Sequence, residues 1–207
     1  MQSAQPPAAP VLCLASVSPR RRELLAQIGV PCVVSAADID EAVGVNERAA
    51  DYVVRMACAK ALAVRSRGMA LPVLAADTTV LIDGIICGKP ADEAAAVALL
   101  ERLSGRAHQV LTGVALAHQG GVAFRLSTSE VRLRVLSRAE CRAYWASGEP
   151  HDKAGGYAVQ GRGAVFIEHL SGSYSGVMGL PLFETAQLLS AAGVPYWQGA
   201  ATGEASP

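Results

Sequence analysis

The sequence predicts an α/β fold. Short apolar runs of strand length alternate with stretches whose apolar residues recur at helical spacing. An Asp83-Gly84 pair between apolar flanks marks a β-hairpin, so the sheet includes antiparallel strands. From Val131 to Val135 apolar residues alternate with Arg132 and Arg134, the mark of a strand with one buried face. With 207 residues, 51% of them hydrophobic and 17% charged, the chain can bury a sizeable core.

Residues 11–15 are a continuous apolar run and read as an interior strand. Ser18 stands at the N-cap of a helix and Pro19 at its first position, where no backbone N–H is needed. Leu24, Leu25 and Ile28 share one face, and Gly29 and Pro31 end the helix. Its first turn holds Arg20, Arg21 and Arg22. A helix N-terminus is already positive, so three cations there are unfavourable until an anion joins them. The free N–H groups of the turn and arginine's forked guanidinium both suit phosphate. The competing reading is a solvated basic helix start.

Residues 32–35 read as a short strand running into Asp38, Asp40 and Glu41. Asn46 reads as the cap of a helix reaching about Arg67, with Val53, Met56, Ala57, Lys60 and Val64 on one face. Lys60 is the odd member of that stripe, either a lysine whose stem packs while its ammonium reaches water, or a functional group. A strand over residues 72–76 delivers Asp77, Thr78 and Thr79 at its C-terminal end, where α/β proteins place working residues. Capping a turn is the alternative for such an aspartate. The hairpin over residues 80–87 ends at Gly88-Lys89-Pro90, and its return strand carries Lys89 back near Asp77.

A helix from about Asp92 to Leu103, a strand over 108–118 and a long partner over 122–135 follow. Ser137 and Glu140 form a capping box for a helix to about Ser147. Residues 148–163 form a long glycine-rich polar loop, of a kind that is functional or mobile in compact domains. Gln160 lies in it beside Gly161, where a backbone can approach a ligand, or simply as a turn residue. A strand over 164–168, a polar loop over 172–176 and a helix led by Gly179-Leu180-Pro181 to Ala192 complete the reading. Residues 1–10 and 198–207 are expected to be disordered tails around one domain over 11–197.

Several function classes fall away. With 18 basic and 18 acidic side chains the net charge is zero, and aromatics are 5%, which argues against a nucleic-acid partner. No apolar run is long enough to span a membrane, and the N-terminus lacks the basic and apolar regions of a signal peptide. Cys13, Cys32, Cys58, Cys87 and Cys141 are dispersed, with no C-x-x-C pair. That pattern suits buried thiols in a reducing compartment, so a cytoplasmic location is expected. There is no G-x-x-x-x-G-K-[ST] and no G-x-G-x-x-G after a strand. What remains is a set of cations, Arg20, Arg21, Lys60 and Lys89, with carboxylates at Asp77 and Glu41. Carboxylates among phosphate-binding cations repel phosphate unless a divalent cation bridges them, and oxygen ligands suit magnesium or manganese. The combination fits phosphoryl or nucleotidyl transfer, with a carboxylate to activate water.

The stretch from Leu14 to Leu25, Leu-Ala-Ser-Val-Ser-Pro-Arg-Arg-Arg-Glu-Leu-Leu, resembles the opening signature of the Maf family of nucleoside triphosphate pyrophosphatases. Ile39-Asp-Glu41, Ala76-Asp-Thr78, Gly88-Lys-Pro90, Ser147-Gly-Glu-Pro150, Lys153-Ala-Gly155, Gln160-Gly161 and Gly179-Leu-Pro-Leu182 follow in that family's order. The match runs from about Val11 to Ala192. This resemblance implies a mixed twisted sheet with flanking helices, in two lobes around a central cleft. It implies hydrolysis of a nucleoside triphosphate to the monophosphate and pyrophosphate, with a divalent cation, Mg2+ or Mn2+. By resemblance, Asp77 is catalytic, Glu41 and Asp77 hold metal, and Ser16, Arg20, Arg21, Lys60 and Lys89 bind substrate. Arg20, Thr78 and Gln160 set specificity. The motifs resemble the branch acting on dTTP and UTP, with modified pyrimidine nucleotides as further substrates. A homodimer is implied by the resemblance alone. The alternative function is a non-catalytic nucleotide-binding regulator of septum formation, which needs the cations but no carboxylate among them.

Overall fold

A computed structural model of the chain describes residues 9–197. The expected tails lie outside the described residues, apart from Ala9 and Pro10. Among the described residues seven strands form one mixed sheet. They are β1 Leu12–Leu14, β2 Cys32–Val34, β3 Val73–Ile82, β4 Ile85–Cys87, β5 Ala107–His118, β6 Gly121–Leu133 and β7 Ile167–Ser171. The order is β2-β1-β3-β5-β6-β7, with β4 also on β3. β1 is parallel to β2 and β3, and every other pairing is antiparallel. The helices are α1 Pro19–Gln27, α2 Ala49–Arg65, α3 Glu93–Leu103, α4 Arg138–Ala146, α5 Tyr174–Met178 and α6 Leu182–Ala191. None is long and apolar enough to cross a membrane.

β3 is the strand on which the site depends. One edge pairs with β5 from Val73 to Leu81. The other edge is shared: β1 takes Val73 and Leu74, and β4 takes Val80, Leu81 and Ile82. Residues 75–79 therefore have no partner strand on that edge. The Leu74 carbonyl accepts from the Ala15 N–H at 2.8 Å. Backbone groups alternate in direction along a strand, so those of Ala76 and Thr78 point into the gap.

Local signals account for most boundaries. The Asp83-Gly84 turn forms as expected, with φ of 52° and 75° in a two-residue hairpin. Asp92 caps α3 by accepting from the Ala95 N–H, and the Ser137–Glu140 capping box is formed. Val53, Met56, Ala57, Lys60 and Val64 are all buried on α2.

Four expectations need correction. β3 does not end at Ala76; pairing to β5 carries it through Asp77-Thr78-Thr79 to Ile82, so Asp77 lies mid-strand beside the gap. α2 begins at Ala49 with Arg48 at the cap, while Asn46 sits in a preceding turn at φ 57°. The strand expected over 164–168 begins later: residues 164–166 are not strand. The Arg162 and Gly163 N–H groups donate to Glu149, which holds Arg162–Phe166 as a 3-10 turn, and β7 starts at Ile167. The polar loop over 172–176 contains the start of α5, because the Ser173 hydroxyl caps it by accepting from the Gly176 N–H.

Two cores flank the gap and form the two lobes. One joins Leu12 of β1, Leu24 and Leu25 of α1, Leu74 of β3, and Leu188 and Leu189 of α6. The other joins Val80 and Ile82 at the far end of β3 to Leu100 and Leu103 of α3, Tyr144 of α4, and Leu133 of β6. α2 crosses the opposite sheet face, where Ala57 and Ala61 meet Ala75, Ala115 and Ala117. A helix comes this close only over small side chains. At Gly113 of β5, an added Cβ would stand 2.4 Å from the Val53 carbonyl oxygen. Gly113→Ala is therefore expected to push α2 off the sheet and destabilise the fold by ~1–3 kcal/mol, read from urea denaturation. Unchanged stability would mean α2 is not seated by this contact.

Candidate active site

The gap in β3 opens into a cleft of about 810 Å³. The residues singled out in the sequence, Ser16, Arg20, Arg21, Glu41, Lys60, Asp77, Thr78, Lys89 and Gln160, all line it. They come from six separate stretches of chain: the β1–α1 turn, the loop before α2, α2 itself, the middle of β3, the chain after β4 and the glycine-rich loop.

Asp77 and Thr78 face opposite ways. Asp77 lies on the α2 face with Ala75, and Thr78 on the other face with Ala76, whose side chain joins the α1–α6 core. On the α2 face Lys60 and Asp77 are 8% and 7% exposed. Lys60 Nζ is 2.6 Å from Asp77 Oδ1 and 2.8 Å from Glu41 Oε1. Its ammonium therefore does not snorkel to water but bridges two carboxylates. Asp77 Oδ2 has no protein hydrogen bond among the described residues. The Tyr52 hydroxyl donates to the Glu41 carbonyl at 3.1 Å. Burial, with the nearby charges of Asp77 and Glu41, pushes the Tyr52 phenol up to about 12, so it stays a donor. Asp38 and Asp40 are exposed, and Asp40 only closes a turn by accepting from the Ala42 N–H at 2.9 Å.

The first turn of α1 brings the arginines. Ser18 occupies the cap position without a side-chain capping bond. Instead Ser16 Oγ accepts from the Ser18 N–H and from Arg21 Nη1, each at 3.2 Å. Arg21 Nε donates to the Gly179 carbonyl at 2.7 Å. Arg21 is thus tied to the turn before α6, while Arg20 reaches Asp152 Oδ2 at 3.3 Å. No acid lies in the first turn of α1, so the helix pole is not neutralised by a side chain of its own.

Gln160 is exposed at the cleft, on a loop that is itself fixed. Glu149 accepts from the Tyr144 hydroxyl at 2.6 Å, the Gly163 N–H at 3.0 Å and the Arg162 N–H at 2.8 Å. Burial raises the Glu149 carboxyl, but these donors more than offset it and hold it below its ordinary value. A Cβ at 161 would lie 2.3 Å from Glu149 Oε2, so any larger residue there has to displace this carboxylate from its donors. Tyr52, Asp152 and Lys153 are among the further residues that line the cleft without having been assigned a role from sequence. Lys153 pairs with Asp152, which also holds Arg20. An oppositely charged pair inside a glycine-rich loop was the available signal for the last two. Among the described residues no cluster of three or more His, Cys, Asp or Glu could cage an ion by itself.

A family profile described as Maf-like protein matches residues 11–192, most of the chain. The chain belongs to the Maf family. Several relatives are alike over nearly their whole length. A protein of Saccharophagus degradans is 52% identical over 191 residues, covering 90% of this chain and 91% of the relative. One of Methylobacillus flagellatus is 55% identical over 183 residues, 87% and 92% of the two chains. One of Alkalilimnicola ehrlichii is 52% identical over 198 residues, 93% and 98%. All three carry the name dTTP/UTP pyrophosphatase.

The charge triad of this Maf chain has a measurable cost of disruption. Lys60→Met leaves Asp77 buried without its cation and is expected to destabilise the fold by ~3 kcal/mol in urea denaturation. Adding Asp77→Asn to Lys60→Met is expected to recover part of that loss. Simple additivity of the two substitutions would show that the pair is not coupled.

Proposed function

We propose that the protein hydrolyses dTTP and UTP, and modified pyrimidine nucleotides of like shape, between the α- and β-phosphates. The observation that carries this reading is a buried carboxylate, Asp77, held among phosphate-binding cations at a break in the sheet. A protein that merely binds a triphosphate gains nothing from an acid there. The shared name of the relatives supports the choice of bases.

In this reading the triphosphate lies along the cationic wall, on Arg20, Arg21, Lys89 and the N–H groups at the start of α1. Lys60 fixes Asp77 through Oδ1, which leaves Oδ2 to take a proton from a water molecule. The water oxygen bonds to the α-phosphorus as the bond to the α–β bridging oxygen breaks. Pyrophosphate leaves with the bond's electrons, and the cations neutralise the charge that collects on it. Glu41 and Asp77 share one ammonium and offer only oxygen donors, a pair that suits magnesium or manganese completed by substrate phosphates. When bound, such a cation neutralises phosphate charge beside those carboxylates. On the other wall Thr78 and Gln160 meet the base, and the Gln160 amide can both donate to and accept from an imide edge. The free cysteines suit a reducing, cytoplasmic setting.

Pyrophosphate release from dTTP, UTP, CTP, GTP and ATP with magnesium or manganese tests the reading. Fast release from dTTP and UTP, lowered about 1000-fold or more by Asp77→Asn in a folded protein, is expected. Binding of nucleotides without turnover of any would favour a regulator instead. Gln160→Ala is expected to narrow the preference among bases by about tenfold while leaving the affinity for pyrophosphate unchanged. Equal losses on all nucleotides would remove Gln160 from base recognition.

A further inference from the structure

Thr78 of β3 and Thr112 of β5 are directly opposite one another in the sheet. Their hydroxyl oxygens are 3.0 Å apart. Thr112 Oγ1 is also 2.8 Å from the carbonyl oxygen of Gly176 in α5. A carbonyl oxygen has no proton to give, so the single hydroxyl proton of Thr112 is committed to Gly176. The proton between the two threonines must then come from Thr78. Donation runs one way, from Thr78 to Thr112 to Gly176. Thr112 is 1% exposed, so bulk water does not replace either partner. Thr78 lines the cleft with its proton already engaged behind it. Towards a ligand, its hydroxyl can accept a hydrogen bond but cannot donate one.

We propose that Thr112 is a positioning residue for base selection: it locks Thr78 as an acceptor, so the cleft favours a pyrimidine whose N3 carries a proton. The inference rests on the reading that Thr78 meets the base. Uracil and thymine present N3–H. Cytosine presents a bare lone pair at N3, which would face the lone pair of Thr78. A hydroxyl free to rotate would serve both rings, donating to one and accepting from the other. Gln160 cannot enforce the choice by itself, because turning its amide over exchanges donor and acceptor. One misdirected bond in a site built this way lowers the rate by about 10–100-fold.

The test is kcat/KM for UTP and CTP with the wild type, Thr112→Val, Thr112→Ser and Thr78→Val. The wild type is expected to favour UTP by about tenfold or more. Thr112→Val keeps the shape but frees the Thr78 proton, and the UTP:CTP ratio is expected to fall about tenfold, largely through KM. Thr112→Ser restores the chain of donors and with it the ratio. A purely structural role would lower both substrates alike. An unchanged ratio in Thr112→Val, beside a ratio altered in Thr78→Val, overturns the proposal while sparing the role of Thr78. A ratio unchanged in Thr78→Val as well removes Thr78 from the base, and the inference falls with that reading. Equal use of UTP and CTP by the wild type overturns it with no variant needed, which covers a Thr112→Val protein that fails to fold.

Discussion

A single strand edge, left unpaired for five residues, governs the architecture. β3 is paired with β5 from Val73 to Leu81, so it stays extended where its other neighbours are missing. β1 ends before the gap and β4 begins after it, and each end carries its own chemistry into the opening. The chain leaving β1 supplies Ser16 and the arginines of α1, and the chain leaving β4 supplies Lys89. An exposed edge is ordinarily a hazard for strand-to-strand association. Here it is short and recessed between two cores, with room for a ligand but not for a long strand. Because the gap reaches both faces of the sheet, Asp77 and its neighbour Thr78 can serve different parts of one ligand.

Charge is arranged around that gap in two grades. The inner grade is the triad of Lys60, Asp77 and Glu41, in which two of three groups are almost wholly buried. Removing water from those charges is expensive, and only their mutual contacts offset it. The triad is therefore costly to break. The outer grade is Arg20, Asp152 and Lys153, whose pairing is far more exposed and correspondingly weak. The Arg20–Asp152 contact can be exchanged for another partner at little cost. Arg20 and Lys60 are thus both partnered by carboxylates, the first loosely and the second tightly.

Close approach of backbone does the positioning. Lys60 reaches Asp77 because α2 settles onto a layer of alanines and onto Gly113. Gln160 is held at the cleft because Glu149 gathers the N–H groups of Arg162 and Gly163 and lies close against Gly161. Thr78 is oriented by Thr112 and Gly176 in the same manner. In each case a residue at the cleft is aimed by a buried or half-buried partner behind it, which limits the entropy that binding must still remove.

Much of this was legible in the chain itself. The apolar run before Ser16, the Pro19 helix start, the Asp83-Gly84 hairpin and the Ser137–Glu140 box are local signals, and local sterics and hydrogen bonding decided them. The motifs also named the residues that line the cleft, since a cation in a helix first turn or on an apolar stripe is conspicuous by composition alone. Boundaries set by distant partners were not legible. Asp77 reads as the end of a strand until β5 is known to pair beyond it, and residues 164–166 read as strand until Glu149 captures the N–H groups beside them. Lys60 could be read equally as a snorkelling lysine or as a functional one, because the acids it joins lie 17 and 19 positions away in the chain. The sequence by itself determined which groups would take part and which elements would carry them. Only the tertiary structure decided which groups touch and which way each hydroxyl proton points, because those follow from contacts between strands and loops far apart in the chain.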